Sequence, residues 1–254
     1  MKEPLKARLT FGVLATVLRP VMNLLMGKQW LNTERLPKDT GMIVAPNHVT
    51  EIDPVAVGHM LYNNKVNPHF LAKSSLFKVP VVGALLSASQ QIPVERAGSG
   101  AHRSLEAAKT VIDQGGGIIV YPEGTLTRDP DLWPMKGHTG AARLALQTGA
   151  PLVPVAHWGA QEVLPRYGKK LHIFPRKKVR VLIGNPVDLD EFRGKPIDRE
   201  LLAKATDRVM DAITELLEEL RSEKAPPKRW DPAEHKQTSH GRTLDNGSRE
   251  GDAT

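Results

Sequence analysis

Residues Gly41–Pro54 read GMIVAPNHVTEIDP, and this stretch decides how the surrounding chain folds. The apolar run Met42–Ala45 predicts a buried strand that ends at Pro46. Asp53-Pro54 predicts a helix start with Asp53 as N-cap, because a proline at the first helical position lacks only an N–H that would have no partner. His48 then lies in the loop between strand and helix, within reach of the Asp53 carboxylate.

A histidine oriented by an aspartate at the end of a strand is the arrangement of a general base. The spacing alone is weak evidence, since His240 and Asp245 repeat it in a polar tail. The alternative for His48 is a capping or core histidine that bonds the backbone. The strand before His48 and the helix after it favour a base, so we predict that His48 and Asp53 are catalytic.

Bulk composition narrows the function classes. The chain has 254 residues, of which 40% are hydrophobic, and a formal net charge of +7. It has no cysteine, which excludes disulfides, thiolate metal sites and a cysteine nucleophile. The positive charge favours an anionic partner: a lipid surface, a phosphorylated substrate, a CoA-like cofactor or nucleic acid.

The first 31 residues predict a helical segment at a membrane interface. Leu9–Leu18 and Val21–Met26 are apolar and are separated by Arg19-Pro20, which favours two short helices. Neither run is long enough to span a bilayer. The alternative is a helical hairpin that packs on the protein's own core.

Residues 32–221 alternate between strand and helix patterns, which predicts an α/β domain with a mainly parallel sheet flanked by helices. Residues 222–254 are polar and are predicted to be a disordered tail. The predicted strands are Met42–Ala45, His69–Ala72, Gln91–Val94, Ile118–Tyr121, Leu152–Ala156, Leu171–Phe174 and Val179–Ile183. The predicted helices are Pro54–Tyr62, Val79–Ser89, Ser104–Gln114, Thr139–Gln147 and Leu201–Leu220, the last capped by Asp198.

Two further motifs follow predicted strands, at the edge where a parallel sheet binds its ligands. QIPVER ends in Arg96, whose planar fork suits a phosphate; the alternative is a surface salt bridge. In YPEGTLTR, we predict that Glu123 accepts hydrogen bonds from substrate hydroxyls and that the Gly124 and Thr125 N–H groups face an anion. The alternative for Glu123 is a helix cap. Lys136 adds a cation near the same cleft.

The run PLVPVA at 151–156 predicts an apolar wall, with Pro154 on an edge strand, at a strand start or in a bulge. The other motifs converge on one cleft. A phosphate clamp, a hydroxyl acceptor and a His–Asp base together describe an enzyme that deprotonates a hydroxyl of a phosphorylated alcohol.

These blocks resemble those of the glycerolipid acyltransferases, typified by 1-acyl-glycerol-3-phosphate acyltransferase. NHVTEID, PVER, YPEGTLTR and LVPVA match four blocks of that family in order, between Asn47 and Ala156. Lys73 resembles the family's lysine after the second strand. Leu126-Thr127 separate the Glu-Gly-Thr block from Arg128, which is a departure from the family pattern.

The resemblance implies a glycerol-3-phosphate acyltransferase-like fold and a peripheral enzyme on the cytoplasmic face of the cell membrane. The implied substrates are an acyl-CoA or acyl-carrier-protein thioester and a lysophospholipid acceptor, with no metal and no other cofactor. His48 is the implied base, Asp53 orients it, and Arg96 contacts the acceptor phosphate. Glycerol 3-phosphate or a glycolipid is the alternative acceptor.

A basic cluster between Arg166 and Arg180 supports the principal alternative, a non-catalytic protein that binds membrane surfaces or nucleic acid. No nucleic-acid-binding motif accompanies the cluster and aromatic residues are few, so we predict no nucleic-acid partner. The nine histidines show no His-Glu-x-x-His spacing, which argues against a metal enzyme.

Overall fold

Seven strands form one sheet in the computed structural model, which describes residues 4–94 and 100–238. The strands are β1 (Met26–Leu31), β2 (Met42–Pro46), β3 (Pro68–Lys73), β4 (Ile92–Val94), β5 (Gly117–Ile119), β6 (Leu152–Trp158) and β7 (Lys177–Ile183). The helices are α1 (Leu5–Leu25), α2 (Asp53–Asn63), α3 (Val82–Ala88), α4 (Gly100–Asp113), α5 (Gly140–Thr148), α6 (Ala160–Val163) and α7 (Arg199–Arg221).

The sheet is mainly parallel, which confirms the predicted fold class. Its strand order is β1-β7-β6-β2-β5-β3-β4, and only the β6–β7 pair among the described strands is antiparallel. Strands β2, β5, β3 and β4 therefore end at the same edge. The loops after β2, β5 and β3 are brought together there, as the motifs predicted for the first two.

Helices cover both faces of the sheet, because successive residues of the apolar strand β2 point to opposite sides. Ile43 and Ala45 pack with buried residues of α4, α5 and α7. Met42 and Val44 pack with buried residues of α2. Helix α1 lies on the α2 side, where Met22 packs with α2 and α6. The candidate site thus lies at the end of a three-layer core.

The predicted strand Leu171–Phe174 is wrong. These residues form an exposed segment that pairs with no described strand, because lysines precede it and Pro175 ends it. Strand β1 was not predicted; its Lys28 and Gln29 interrupt the apolar pattern, and its parallel pairing with β7 is a contact across some 150 residues.

Strand β6 lies inside the sheet between β2 and β7, so of the three alternatives for Pro154 the edge strand is wrong. The β6–β7 ladder begins at Val155, paired with Ile183. Pro154 lies just outside this ladder and needs no donor there, while its carbonyl accepts a hydrogen bond from Gly184 N at 2.9 Å.

The N-terminal segment is one helix of 21 residues, which corrects the prediction of two helices broken at Arg19-Pro20. Pro20 lies inside α1, where it removes a single backbone hydrogen bond. Packing of Met22 and of Met26 beyond the helix end holds the C-terminal turn against the core. By length and composition alone, α1 could cross a membrane, and it is the one described helix that could.

Residues 222–238 are ordered, which corrects the prediction of a disordered tail beginning at residue 222. The Trp230 carbonyl accepts a hydrogen bond from Lys136 N at 2.9 Å, and its ring stacks on His235 with centroids 3.5 Å apart. One aromatic residue and several local ion pairs compensate for the low apolar content of this segment. Residues 239–254 lie outside the described part of the chain.

Candidate active site

His48 and Asp53 meet in the loop between β2 and α2. His48 Nδ1 lies 2.9 Å from Asp53 Oδ2. The His48 side chain is 16% exposed, whereas that of Asp53 is fully buried. The carboxylate is therefore shielded from water, and one edge of the imidazole remains open to a ligand.

The Asp53 carboxylate also holds the loop itself. Its Oδ2 atom accepts hydrogen bonds from Val49 N at 2.7 Å and Thr50 N at 2.8 Å. The helix N-cap is Ile52, and Asp53 is the first helical residue, which corrects the predicted capping role of Asp53. The loop before Asp53 folds so that its N–H groups point at the carboxylate, which therefore bonds the loop and not the first turn of the helix. The same atom thus positions the loop and the imidazole.

Tyr121 orients the His48 ring from one face. The two rings stack with centroids 4.0 Å apart and an interplanar angle of 26°. Burial, with a smaller contribution from the Asp53 charge, raises the pKa of Tyr121 well above its usual value. The phenol therefore stays neutral while it packs on the imidazole. No sequence signal indicated this role, because a tyrosine at a strand end is common.

A second buried histidine, His157 of β6, lies behind Asp53. Its Nε2 atom is 2.7 Å from the Asn47 carbonyl and 3.5 Å from Asp53 Oδ2. The Asn47 side chain bonds both backbone groups of His157, as acceptor from N at 2.8 Å and as donor to O at 3.1 Å. This pair fastens the His48 loop to the neighbouring strand.

Glu123 supports the loop and does not face the cleft, which corrects its predicted role as a hydroxyl acceptor. The residue is fully buried, and its two oxygens accept hydrogen bonds from His48 N at 2.8 Å and Met135 N at 3.0 Å. Thr127 N donates to the His48 carbonyl at 2.7 Å. Both backbone groups of His48 are thus held by the segment that begins at Glu123.

Burial raises the pKa of Glu123 from 4.5 to about 8, although the hydrogen bonds from Met135 and His48 oppose this shift. A hydrogen bond with the Thr127 side chain also lowers the pKa, but desolvation outweighs all three hydrogen bonds, and the nearby Asp53 charge adds to the increase. The carboxyl is therefore mostly protonated at neutral pH.

Gly124 makes the turn after Glu123, with a φ of 69° that favours glycine. Its N–H donates to the Tyr121 carbonyl at 3.0 Å, so the prediction that this group faces an anion is wrong. A Cβ atom at residue 124 would lie 2.8 Å from His138 Cδ2. Thr125 is half-buried in the same turn.

The three cations predicted for the cleft differ in where the structure places them. Arg96 lies outside the described residues. Lys73 is the last residue of β3 and is in register with Val94 of β4, so its backbone lies at the same edge of the sheet as the His48 loop. The Lys136 ammonium is exposed and bonds Asp231 at 2.7 Å, so it does not supply the predicted cation in the cleft.

Arg128, whose role the departure in its motif left open, is buried and structural. Its Nε atom donates to the Thr238 carbonyl at 3.2 Å, and its guanidinium bonds the Tyr167 hydroxyl. Arg166 of the basic cluster bonds the carbonyls of Thr127 and Asp129 at 2.6 and 2.7 Å. These arginines therefore stabilise the segment that holds His48.

An apolar groove with a volume of about 380 Å³ runs between α1, α2 and α3. Pro54 and Val55, at the start of α2, line the end next to Asp53. Phe11 and Tyr62 line the other end, and Leu14 and Leu85 are among the residues between. The groove thus begins at Pro54, the residue that follows Asp53 in the chain, and runs along the α2 side of the molecule, although neither His48 nor Asp53 lines it.

The chain is similar to known proteins in both sequence and fold. A family model described as Acyltransferase matches residues 29–158. The chain is 31% identical over 202 residues to a 1-acyl-sn-glycerol-3-phosphate acyltransferase of Bacillus subtilis, which covers 80% of this chain and 94% of that protein. It is 29% identical to the chloroplastic enzyme BAT2 of Brassica napus, covering 64% of this chain and 47% of the longer plant protein.

Among solved structures, the crystal structure of the 1-acyl-sn-glycerophosphate acyltransferase PlsC of Thermotoga maritima matches with a TM-score of 0.63. The two chains are 25% identical, and the match covers 87% of this chain and 83% of that one.

Proposed function

Because the chain belongs to the acyltransferase family, we propose that it transfers a fatty acyl group from a thioester to the free hydroxyl of 1-acyl-glycerol 3-phosphate. The product is phosphatidic acid. The observation that carries this proposal is the 2.9 Å contact of His48 Nδ1 with buried Asp53, at the end of an apolar groove. Since Nδ1 donates to the carboxylate, Nε2 is the ring nitrogen that accepts a proton.

The reaction needs one base and no covalent intermediate, because the thioester is already activated. His48 Nε2 takes the proton of the acceptor hydroxyl while the oxygen attacks the thioester carbonyl. The C–O bond forms, the C–S bond breaks, and the imidazolium returns its proton to the thiolate. Asp53 stabilises the imidazolium between these two steps. No metal or further cofactor is part of this proposal.

The groove is the proposed site of a fatty acyl chain. Its volume of about 380 Å³ lies within the range of small-molecule sites. It begins beside Pro54, the residue after Asp53, so a chain in the groove leads its carbonyl end toward His48. The apolar lining favours a hydrocarbon over a polar donor.

The acceptor phosphate is assigned to Arg96, with Lys73 at the same edge of the sheet. Both assignments rest on the resemblance to the family blocks, and the strand register supports that of Lys73. A planar guanidinium meets two phosphate oxygens at once. This clamp holds the phosphoglycerol end so that the free hydroxyl meets His48.

We place the enzyme at the cytoplasmic face of the membrane, with α1 as the contact. Leu9, Val13 and Val17 lie four residues apart and are each more than 60% exposed, which forms an apolar stripe along the helix. An acyl-CoA or an acyl carrier protein supplies the thioester from the aqueous side.

Acceptor-dependent release of thiol tests the proposal. Purified protein is given palmitoyl-CoA with lysophosphatidic acid, with glycerol 3-phosphate or with no acceptor, and the lipid product is identified. We expect CoA release and phosphatidic acid only with lysophosphatidic acid. Release with glycerol 3-phosphate alone would reassign the acceptor. If no acceptor supports release from acyl-CoA or from acyl carrier protein, the catalytic proposal is wrong.

A further inference from the structure

We propose that residues 169–178, called here the basic loop, form a second contact with an anionic lipid bilayer. The basic loop follows α6 and includes the first two residues of β7. At its tip, Phe174 is 91% exposed, and its neighbours Leu171 and Ile173 are 48% and 49% exposed. Three apolar side chains in a four-residue stretch are thus presented to solvent, although nothing in the proposed reaction uses them.

Positive charge surrounds this apolar tip. Lys169, Lys170 and Lys178 are exposed on either side of it, and the nearest acidic residues along the chain are Glu162 and Asp188. An apolar tip within a ring of lysines matches the two properties of an anionic bilayer surface, which are negative headgroups above hydrocarbon. A duplex nucleic acid would contact the lysines but has no hydrocarbon layer to receive Leu171, Ile173 and Phe174 together.

The basic loop is fastened to the end of α1. The Arg176 guanidinium donates to the carbonyl of Met26 at 2.9 Å and also bonds that of Asn23. Leu24, in the same turn of chain, is 76% exposed and continues the apolar stripe of α1. The loop and the stripe are therefore neighbours on one surface, and a bilayer that contacts α1 along its length reaches the loop at its end.

Vesicle binding of the full chain tests this contact without requiring catalysis. The probes are vesicles of phosphatidylcholine alone and of phosphatidylcholine mixed with an equal amount of phosphatidylglycerol. The variants are Phe174→Ser and the double variant Lys169→Gln/Lys170→Gln. Matched controls are Ile197→Ser and Lys195→Gln, which are exposed residues near the start of α7, on the opposite face from α1.

We expect the double lysine variant to lose affinity for the anionic vesicles by about fivefold for each lysine. Its affinity for neutral vesicles should not change. Phe174→Ser should weaken binding to both kinds of vesicle by roughly tenfold. The control variants should bind as the wild type does.

Thioester consumption in detergent micelles should be unchanged in all four variants, which shows that each is folded. If both loop variants bind vesicles as tightly as the controls, the proposal is wrong. It is also wrong if the lysine variant loses affinity only for duplex DNA at matched salt. Neither result bears on the acyl transfer itself.

Discussion

The residue that organises the site is Asp53, whose single oxygen Oδ2 serves the His48 ring and two loop N–H groups. A buried carboxylate oxygen that accepts several hydrogen bonds fixes the direction of each donor. His157 adds a further restraint from behind, through the Asn47 carbonyl. We therefore regard His157 as a positioning residue, since it does not reach the cleft.

Replacement of His157 by Leu should lower kcat by roughly ten- to hundredfold, because the Asn47 carbonyl loses its donor and the His48 loop shifts. The KM for the acceptor should stay near the wild-type value. His157→Gln, whose amide can donate to the same carbonyl, should recover most of the activity. Steady-state kinetics of the three proteins check this. Equal losses in the Leu and Gln variants would contradict a role through this hydrogen bond.

The raised pKa of Glu123 should make the free energy of unfolding depend on pH. Its pKa is about 8 in the folded chain against 4.5 ordinarily, so between these values the unfolded chain releases a proton that the folded chain retains. Its contribution to the free energy of unfolding is complete below about pH 4.5 and declines as pH rises to about 8.

Denaturant unfolding of the wild type and of Glu123→Gln across this window measures the effect. The stability difference between the two proteins should fall as pH rises, because Gln does not titrate. A difference that is constant with pH would show that Glu123 is already ionised in the folded state. The acceptor KM of the variant should be unchanged, since the carboxyl contacts His48 N and Met135 N and no substrate.

At the scale of elements, the segment from Glu123 to Lys136 links the site to the C-terminal part of the chain. It holds His48 at one end, and at the other Lys136 N bonds the Trp230 carbonyl. Residues 222–238, the ordered segment after α7, pack against residues 123–136 and are called the strap here. Its contacts join residues about a hundred positions apart, which no local pattern in the sequence reveals.

Replacement of Trp230 by Ala should lower the free energy of unfolding by about 2 kcal/mol, because the half-buried ring loses its packing on His235. Asp231→Asn should cost about 1 kcal/mol or less, since its pair with Lys136 is exposed. Thermal unfolding with parallel turnover measurements compares the two. If the Asn variant were the less stable, the ion pair and not the ring would hold the strap.

At the scale of the whole molecule, the mainly parallel sheet was predictable because its strands are short, apolar and separated by helix patterns. The His48–Asp53 pair was predictable because both residues lie in one strand–loop–helix unit. The role of Glu123 was not, because its donors, His48 N and Met135 N, come from different loops. The contact between Asn47 and His157 was not predicted for the same reason, because it joins residues 110 positions apart.

In the N-terminal helix, the rule that a proline ends a helix gives the wrong result. Arg19-Pro20 indicates a break, yet packing of Met22 keeps α1 continuous through Pro20. Because α1 is one helix, its residues both line the apolar groove and form the exposed stripe. The exposed stripe of α1 and the apolar groove thus lie on the same side of the sheet as α2, the helix that Asp53 begins.

The most direct test of the central claim is the turnover of His48→Ala. The rate of phosphatidic acid formation from palmitoyl-CoA and lysophosphatidic acid is measured in detergent micelles, beside the exposed-histidine control His172→Ala. The account predicts that His48→Ala loses about 10²–10⁴-fold in kcat, while its melting temperature and the control's activity stay near wild type. A folded His48→Ala protein that turns over within a few-fold of the wild type would contradict the account.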